Sequence, residues 1–250
     1  MKRIAMLSFL LASACSSQDY QLVSTYTFPI NNDRPNCFGH QPAHDFDVGP
    51  TAIALDGQYV YIVDTYHANI KRIDLDSGVV ITSDKISTLK QPWLRDVAVF
   101  NDKVYVTSDL DSIYVLSKNL RPLTSVYVGK EQKYFSKVSQ DTLEIYFNLT
   151  NKILKITPDH RIVAFEQPRQ RYIQSPGKTP RGKRYHEFDE KGKQYIRTPY
   201  GVVELTPTFR ETFMRYDASP VDFDAEKLVY FVLKDSALVL YLYKKVQRGD

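Results

Sequence analysis

Residues 49–80 read GPTAIALDGQYVYIVDTYHANIKRIDLDSGVV and contain the clearest strand and turn signals of the chain. It holds short runs of β-branched and aromatic residues, a composition that suits a pleated strand. Asp56 and Gly57 separate the first two runs, and this dipeptide favours a hairpin because glycine accepts the positive φ of a tight turn. A polar connector at residues 64–69 leads to a third run, and residues 76–78 turn the chain into a fourth. The stretch therefore predicts one small antiparallel sheet.

The same unit recurs along the chain at a spacing typical of repeated four-stranded sheets. An aliphatic residue or Gln followed by Tyr marks each second strand, and the tyrosines are Tyr61, Tyr105, Tyr146, Tyr195 and Tyr230. Seven to nine residues later an aliphatic residue opens each third strand, at Ile70, Ile113, Ile153, Val202 and Leu238. The tyrosines step by 44, 41, 49 and 35 residues, close to the period of a propeller blade. We predict an all-β chain that forms a single five-bladed β-propeller, with blades at about 50–85, 93–129, 134–166, 185–217 and 219–245.

The first unit resembles the NHL and YVTN-type propeller repeat. In that repeat an aliphatic-Tyr strand is followed by an Asp-Thr turn and by an Ile-rich strand that ends in Asp and Gly. The matching residues are Tyr61, Asp64, Thr65, Ile70, Ile73, Asp74 and Gly78. The other units keep the strands and lose the Asp-Thr pair, and the resemblance covers roughly residues 49–245. It implies a fold and no particular activity, because one fold carries many functions.

The last unit is one strand short of the others. Residues 219–245 contain three strand-like runs, whereas residues 21–28 form a lone alternating run ahead of the first unit. We therefore predict that residues 21–28 add the missing outer strand to the last blade. This pairing would close the ring and remove two free sheet edges.

The N-terminus has the pattern of a secretory signal. Lys2 and Arg3 precede an apolar run that is too short to span a membrane, and small residues lead to Cys15. The ending Ala12-Ser13-Ala14-Cys15 resembles a bacterial lipobox, in which Cys15 is acylated and becomes the first mature residue. The alternative is ordinary cleavage after Ala14. The expected organisation is a signal peptide at 1–14, a lipidated cysteine and tether at 15–19, and one domain at 20–250, in an outer-membrane lipoprotein of the bacterial envelope.

Charge and cysteine content narrow the class of partner. Removal of Lys2 and Arg3 with the signal leaves +2 of the formal charge of +4, which is too small to favour nucleic acid. The membrane contact that we predict is the lipid anchor alone. If Cys15 is lipidated, Cys37 has no intramolecular partner for a disulfide, so it is either a buried apolar residue or an exposed thiol.

Two insertions break the repeat, at residues 29–50 and 167–184. Both are rich in Pro, Gly and polar residues, so both are predicted loops, and both fall on the face that also carries the connectors between second and third strands. The second insertion is basic, and guanidinium groups beside an aromatic suit an anionic ligand, although the same composition suits a solvated loop. The predicted ligand-binding residues on this face are Tyr66, His67, Asp109, Arg169, Arg171, Arg181, Arg184 and Tyr200.

The sequence contains residue types that bind metals, but it lacks a complete metal-binding or catalytic motif. The first insertion holds His40, His44, Asp45 and Asp47, which are metal-ligand types, but Pro42 disfavours the helix that would bring the histidines together. We expect no metal site and no cofactor. The chain lacks the common motifs of nucleophilic, zinc-dependent and phosphate-binding enzymes.

The predicted function is a binding or scaffolding module for an envelope protein or an anionic glycan. The alternative is a periplasmic or surface hydrolase of glycans or lactones that uses carboxylates in the central funnel. The candidate carboxylates near first strands are Asp96, Glu187 and Asp222. Convergence of these three groups would favour the enzyme.

Overall fold

A computed structural model describes most of the predicted domain. The described residues are 20–41, 48–87, 93–109, 112–130, 133–138, 141–147, 150, 152–166, 186–188, 194–198, 201–205, 221–234 and 236–246. Cys15, the basic arginines of the second insertion and Tyr200 lie outside them. No segment of these ranges forms a helix with the length and apolarity needed to cross a bilayer.

The described residues are organised as antiparallel strands, which confirms the all-β prediction. The strands are β1 (Tyr20–Pro29), β2 (Pro50–Asp56), β3 (Tyr59–Asp64), β4 (Asn69–Asp74), β5 (Val80–Thr82), β6 (Leu94–Phe100), β7 (Lys103–Ser108), β8 (Ser112–Ser117), β9 (Pro122–Tyr127), β10 (Lys133–Val138), β11 (Leu143–Phe147), β12 (Lys152–Ile156), β13 (Ile162–Glu166), β14 (His186–Phe188), β15 (Gln194–Thr198), β16 (Gly201–Leu205), β17 (Val221–Phe223), β18 (Lys227–Lys234) and β19 (Ala237–Lys245). Each tyrosine of the repeat lies in a second strand, and each aliphatic marker lies in the strand that follows.

Neighbours in sequence are neighbours in each sheet, as expected for strands joined by tight turns. Three sheets contain four strands in chain order, β2–β5, β6–β9 and β10–β13, and β14–β16 form a three-stranded sheet within the described ranges. Gly57 in the first hairpin has a φ of 59°, which agrees with the turn predicted at that dipeptide. The four-stranded unit read from the sequence is therefore confirmed in three consecutive segments.

The N-terminal strand joins the last sheet. β1 pairs antiparallel with β19, in the order β1-β19-β18-β17, which confirms the pairing expected from the spare N-terminal run. A bulge between Leu22 and Ser24 shifts the register. The simple alternation expected along this run is therefore wrong at Leu22, whose side chain is 40% exposed, because the extra residue of the bulge changes the face on which it lies.

The cores lie between sheets that face each other. Val229 of the last sheet shares a buried cluster with Val60 of the first, and Tyr61 on the opposite face shares one with Val106 of the second. Tyr105 in turn packs with residues of the third sheet. Alternate residues of the second strands β3, β7 and β18 thus serve two different cores, since successive side chains of a strand point to opposite faces.

Tyrosine hydroxyls add hydrogen bonds to these contacts. The Tyr61 hydroxyl donates to the Lys118 carbonyl at 3.4 Å, in the turn between the third and fourth strands of the next sheet. Tyr105 repeats the arrangement, since its hydroxyl bonds to Nδ1 of His160 in the corresponding turn of the third sheet. Burial raises the pKa of Tyr105 to about 12. The repeated tyrosine therefore does more than fill space, because its polar end bonds to the neighbouring sheet.

Candidate binding surface

The first insertion folds onto the connector between β3 and β4. Within residues 30–41, the Gly39 amide donates to Asp64 Oδ2 at 3.0 Å. The Asn32 carbonyl lies 3.2 Å from Nε2 of His67. The start of the insertion and the first connector thus form one surface, as expected from the topology of the repeat.

Close packing at Gly39 explains why this position has no side chain. A Cβ added there would lie 2.3 Å from Cδ1 of Tyr66 and 2.7 Å from Cε1 of His67. The Asn69 side chain ties the other end of the loop by donating from Nδ2 to the Pro35 carbonyl at 3.2 Å. The ring of Tyr66 is therefore held against the loop and remains half-buried.

Asp64 is the centre of the hydrogen bonds beneath this surface. Its carboxylate accepts from the Gly39 amide, from the backbone of His67 at 3.3 Å, from Nδ1 of His67 at 2.9 Å and from Nζ of Lys71 at 2.6 Å. Lys71 also donates to Oδ1 of Asn69 at 2.8 Å and lies 5.0 Å from the centre of the Phe38 ring. The side chains of both Asp64 and Lys71 are fully buried.

The pKa values of this pair follow from the number of partners each group has. Burial alone would raise the pKa of Asp64, but hydrogen bonds from His67 and Lys71, together with the charge of Lys71, outweigh it and lower that pKa. Burial lowers the pKa of Lys71, and the charge of Asp64 opposes this only in part. The carboxylate is thus well solvated by the protein, whereas the ammonium is less so. This network has the properties of a structural anchor, because each oxygen of Asp64 is already engaged.

A second polar group, which we call the Asp109 corner, consists of Trp93, Arg95 and Asp109. Arg95 donates from Nε to Oδ2 of Asp109 at 2.9 Å, and its Nη2 bonds to the same oxygen. The Asp109 amide donates to the Trp93 carbonyl at 3.1 Å. The other oxygen, Oδ1 of Asp109, is buried without a hydrogen-bond partner among the described residues.

The Asp109 corner adjoins the first connector. The Thr65 hydroxyl donates to the Leu94 carbonyl at 2.6 Å, and the Thr51 hydroxyl donates to the same oxygen at 3.2 Å. Thr65 precedes Tyr66 and Leu94 follows Trp93, so these bonds join the backbones of the two groups. We call the resulting surface the rim, and its members are Tyr66, His67, Trp93, Arg95 and Asp109.

The predicted site residues fall into two sets. Tyr66, His67 and Asp109 lie on the rim, although His67 is only 7% exposed and both its ring nitrogens face acceptors. The remaining predicted residues lie outside the described ranges, namely Cys15, Arg169, Arg171, Arg181, Arg184 and Tyr200. Their roles stay predictions.

The first insertion offers no metal cluster in its described part. No group of three His, Cys, Asp or Glu side chains with suitable geometry occurs within the described ranges. His44, Asp45 and Asp47 fall outside these ranges. Cys37 is a free thiol of intermediate exposure in the loop that covers Lys71.

Two of the three candidate catalytic carboxylates, those of Asp96 and Asp222, accept hydrogen bonds from backbone amides of the next sheet. Oδ2 of Asp96 accepts from the Phe135 amide at 2.9 Å, and Oδ2 of Asp222 accepts from the Leu55 amide at 2.8 Å. Both side chains belong to buried residues. These carboxylates therefore bond adjacent first strands together.

The three candidate residues also pair with different positions of their second strands. Asp96 pairs with Thr107, two residues beyond the repeat tyrosine of β7, whereas Glu187 pairs with the repeat tyrosine Tyr195 itself. Asp222 pairs with Val229, one residue before the repeat tyrosine of β18. Their backbone register relative to the repeat tyrosine therefore differs, and the side chain of Glu187 lies outside the described part of the chain.

Sequence reasoning missed Lys71, Trp93 and Arg95. A lysine between the apolar residues Ile70 and Ile73 was a usable signal, because a charge in a buried strand requires a partner. Trp93 and Arg95 gave no such signal, since their bonds to Asp109 depend on the register in which β6 pairs with β7.

Comparisons with known proteins do not assign this chain to a family. No protein-family profile matches the sequence, and no curated protein is significantly similar to it. Solved structures of similar shape include hydrazine synthase of Kuenenia stuttgartiensis (14% identity, 76% of this chain and 58% of that chain, TM-score 0.41). Others are streptogramin B lyase (13%, 81% and 67%, TM-score 0.39) and a nidogen/laminin complex (16%, 83% and 85%, TM-score 0.39). The chain spans little more than half of the hydrazine synthase chain, and TM-scores of about 0.4 carry no inference about activity or ligand.

Proposed function

We propose that the protein is a five-bladed β-propeller lipoprotein of the bacterial envelope, and that it binds an envelope protein or an anionic glycan. Lipidation at Cys15 anchors it, and the rim together with the basic insertion at residues 167–184 forms the binding face. The proposal rests on the sequence for the anchor and the basic insertion, and on the described residues for the rim.

The packing order of the sheets supports the ring. Val203 of the fourth sheet shares a core with Tyr230 of the last, and the last sheet packs on the first, the first on the second and the second on the third. β1 occupies the outer position of the last sheet, where ring closure requires it. The proposed ring also requires the third sheet to pack on the fourth.

The single observation that carries a binding function is the organisation of the rim. Half-buried Tyr66 and Trp93 stand on a surface whose backbone is fixed from below by the Asp64 network and by Thr65. A rigid surface that combines aromatic and charged side chains favours binding, because little conformational entropy is lost when a ligand is captured. Asp96 and Asp222 bond to neighbouring backbone, so hydrolysis by funnel carboxylates receives no support from them.

Two probes test the proposal with the full chain. We expect immobilised heparin, used as an anionic glycan, or an envelope protein captured by crosslinking to bind the wild type. Replacement of Arg169, Arg171, Arg181 and Arg184 by Ser should weaken that binding without loss of folding, and the effect should be greater at low salt. A matched control is Tyr127→Ser, because Tyr127 lies on β9 with 72% of its surface exposed and outside the rim. Binding that is unchanged in the arginine variant, or absent from the wild type for both probes, would overturn the proposal.

A further inference from the structure

The Asp109 corner has features of a ligand subsite that the proposed function does not yet specify. We propose that Trp93, Arg95 and Asp109 bind a neutral sugar unit, with a hydroxyl or acetamido N–H donating to Asp109 and the ring lying against Trp93. This inference rests on the proposed binding function of the rim and names the chemistry of one position within it.

The carboxylate of Asp109 is only half used. Arg95 directs two donors to Oδ2, whereas Oδ1 is buried without a partner among the described residues. A buried acceptor that makes no hydrogen bond is unfavourable, since the water it lost is not replaced. The Asp109 side chain remains 15% exposed, which places this residue at the protein surface. Binding of a donor requires Oδ1 to become exposed, and the hydrogen bond that this oxygen then gains offsets part of the cost.

The backbone of Trp93 points to the same conclusion. Trp93 has a φ of 46°, in the left-handed region that bulky residues rarely adopt. Such strained positions persist where the surroundings enforce them, and they concentrate at functional sites. The Asp109 amide donates to the Trp93 carbonyl at 3.1 Å, so the backbones of these two residues are held together. Trp93 is half-buried at this position.

Local charge favours a neutral ligand. Arg95 and Asp109 form an ion pair, and next to them the buried Lys133 donates to the Ser108 carbonyl at 2.9 Å. Asp96 is buried on the same strand as Arg95, so two cations and two carboxylates balance. An ammonium ligand would meet the guanidinium of Arg95, and an anionic ligand would meet Asp109. A sugar hydroxyl or amide satisfies the acceptor without adding charge, and an aromatic ring suits the apolar face of a pyranose.

Tryptophan fluorescence measures ligand binding at this subsite, because Trp93 is the single tryptophan of the chain. The full-length protein is titrated with triacetylchitotriose, cellotriose and maltotriose. We expect a saturable change with at least one of them, at a Kd in the range of about 0.1–10 mM. Asp109→Asn replaces an acceptor oxygen by a donor group of the same size, so the affinity should fall by about tenfold or more. Tyr127→Ser should leave the Kd within about twofold, because that side chain is exposed on another strand.

A second variant tests the subsite if Asp109→Asn fails to fold. If Asp109→Asn does not unfold cooperatively, Trp93→Ala is measured by calorimetry and should lose the heat of sugar binding. Heparin binding by the same wild-type sample separates the two proposals. The absence of any sugar response would overturn the subsite, and binding of heparin or of an envelope protein by the same sample would leave the proposed function standing. Absence of binding to the sugars, to heparin and to an envelope protein would overturn both proposals. A response to spermidine that depends on Asp109 would overturn the neutral-sugar assignment.

Discussion

Replacing Asp64 by Asn removes the carboxylate that the described structure places against the buried ammonium of Lys71. Asn keeps the size of the side chain and one oxygen acceptor. The Gly39 amide, Nδ1 of His67 and Nζ of Lys71 all donate to Oδ2 of Asp64, whereas the backbone N–H of His67 donates to Oδ1. One of these two positions becomes an NH₂ group, which cannot accept, so at least one donor loses its partner in either orientation of the amide. The variant therefore removes the negative charge and at least one hydrogen-bond acceptor without creating a large cavity.

The expected loss is about 3–5 kcal/mol of unfolding free energy, the range for a buried pair that loses one partner. The upper end has a physical limit, because Lys71 can lose its proton when its partner is gone. Neutralising a lysine of ordinary pKa at pH 7 costs about 5 kcal/mol, and burial already lowers the pKa of Lys71. For a domain of this size, about 3 kcal/mol corresponds to a fall in Tm of roughly 6–12 °C.

Urea unfolding and thermal scans of wild type, Asp64→Asn, Lys71→Met and the double variant measure this expectation. Lys71→Met should cost less, about 1–2 kcal/mol, because Asp64 keeps its bonds from Gly39 and His67. The double variant should lose less than the sum of the single losses, since no buried charge is stranded. A loss below about 1 kcal/mol for Asp64→Asn, or strict additivity, would refute the role of the pair.

The same pair makes a prediction about pH. The pKa of Asp64 is lowered in the folded protein, so its stabilisation is complete above the unfolded value of about 4 and disappears as the pH falls through the folded pKa. The difference in stability between wild type and Asp64→Asn should therefore close in acid. A difference that persists unchanged to pH 2 would contradict this assignment.

The remaining predictions concern the tyrosine contacts, the N-terminal strand and the anchor. Because burial raises the pKa of Tyr105 to about 12, wild type should lose stability between about pH 10 and 12, and Tyr105→Phe should lose less over that range in urea titrations; parallel pH curves would argue against it. Deletion of residues 20–28 should prevent cooperative folding or lower Tm strongly, because it exposes the edge of β19 and the core beside Tyr20; a truncated protein that melts within a few degrees of wild type would exclude this role. Cys15→Ser should abolish labelling by a palmitate analogue and release the chain from the membrane fraction, and an unlabelled wild type would remove the lipoprotein proposal.

The strands were predictable because their signals are local. An aliphatic residue before each repeat tyrosine, a turn dipeptide such as Asp56-Gly57 and an aliphatic residue after each connector lie within a few residues of one another. Apart from the last sheet, which also contains β1, each sheet is built from consecutive strands, so the order of those strands along the chain is also their order in the sheet. The pairing of β1 with β19 joins distant segments, yet it was predictable from counting strands, because a sheet that lacks a strand and a strand that lacks a sheet complement each other.

Contacts between sheets were decided only by the tertiary structure. Oδ2 of Asp222 accepts from the Leu55 amide, 167 residues away, and Oδ2 of Asp96 accepts from the Phe135 amide, 39 residues away. The sequence marked Asp222 as a candidate catalytic acid because a carboxylate near a first strand has the same local pattern in either role. Which role it takes depends on the donors within about 3 Å of its oxygens, and those donors are supplied by the packing of one sheet on the next. The repeat in the sequence therefore determined the strands and their order. The packing of the sheets determined which polar side chains form structural hydrogen bonds, as Asp96 and Asp222 do, and which residues, such as Trp93 and Asp109, lie on the rim.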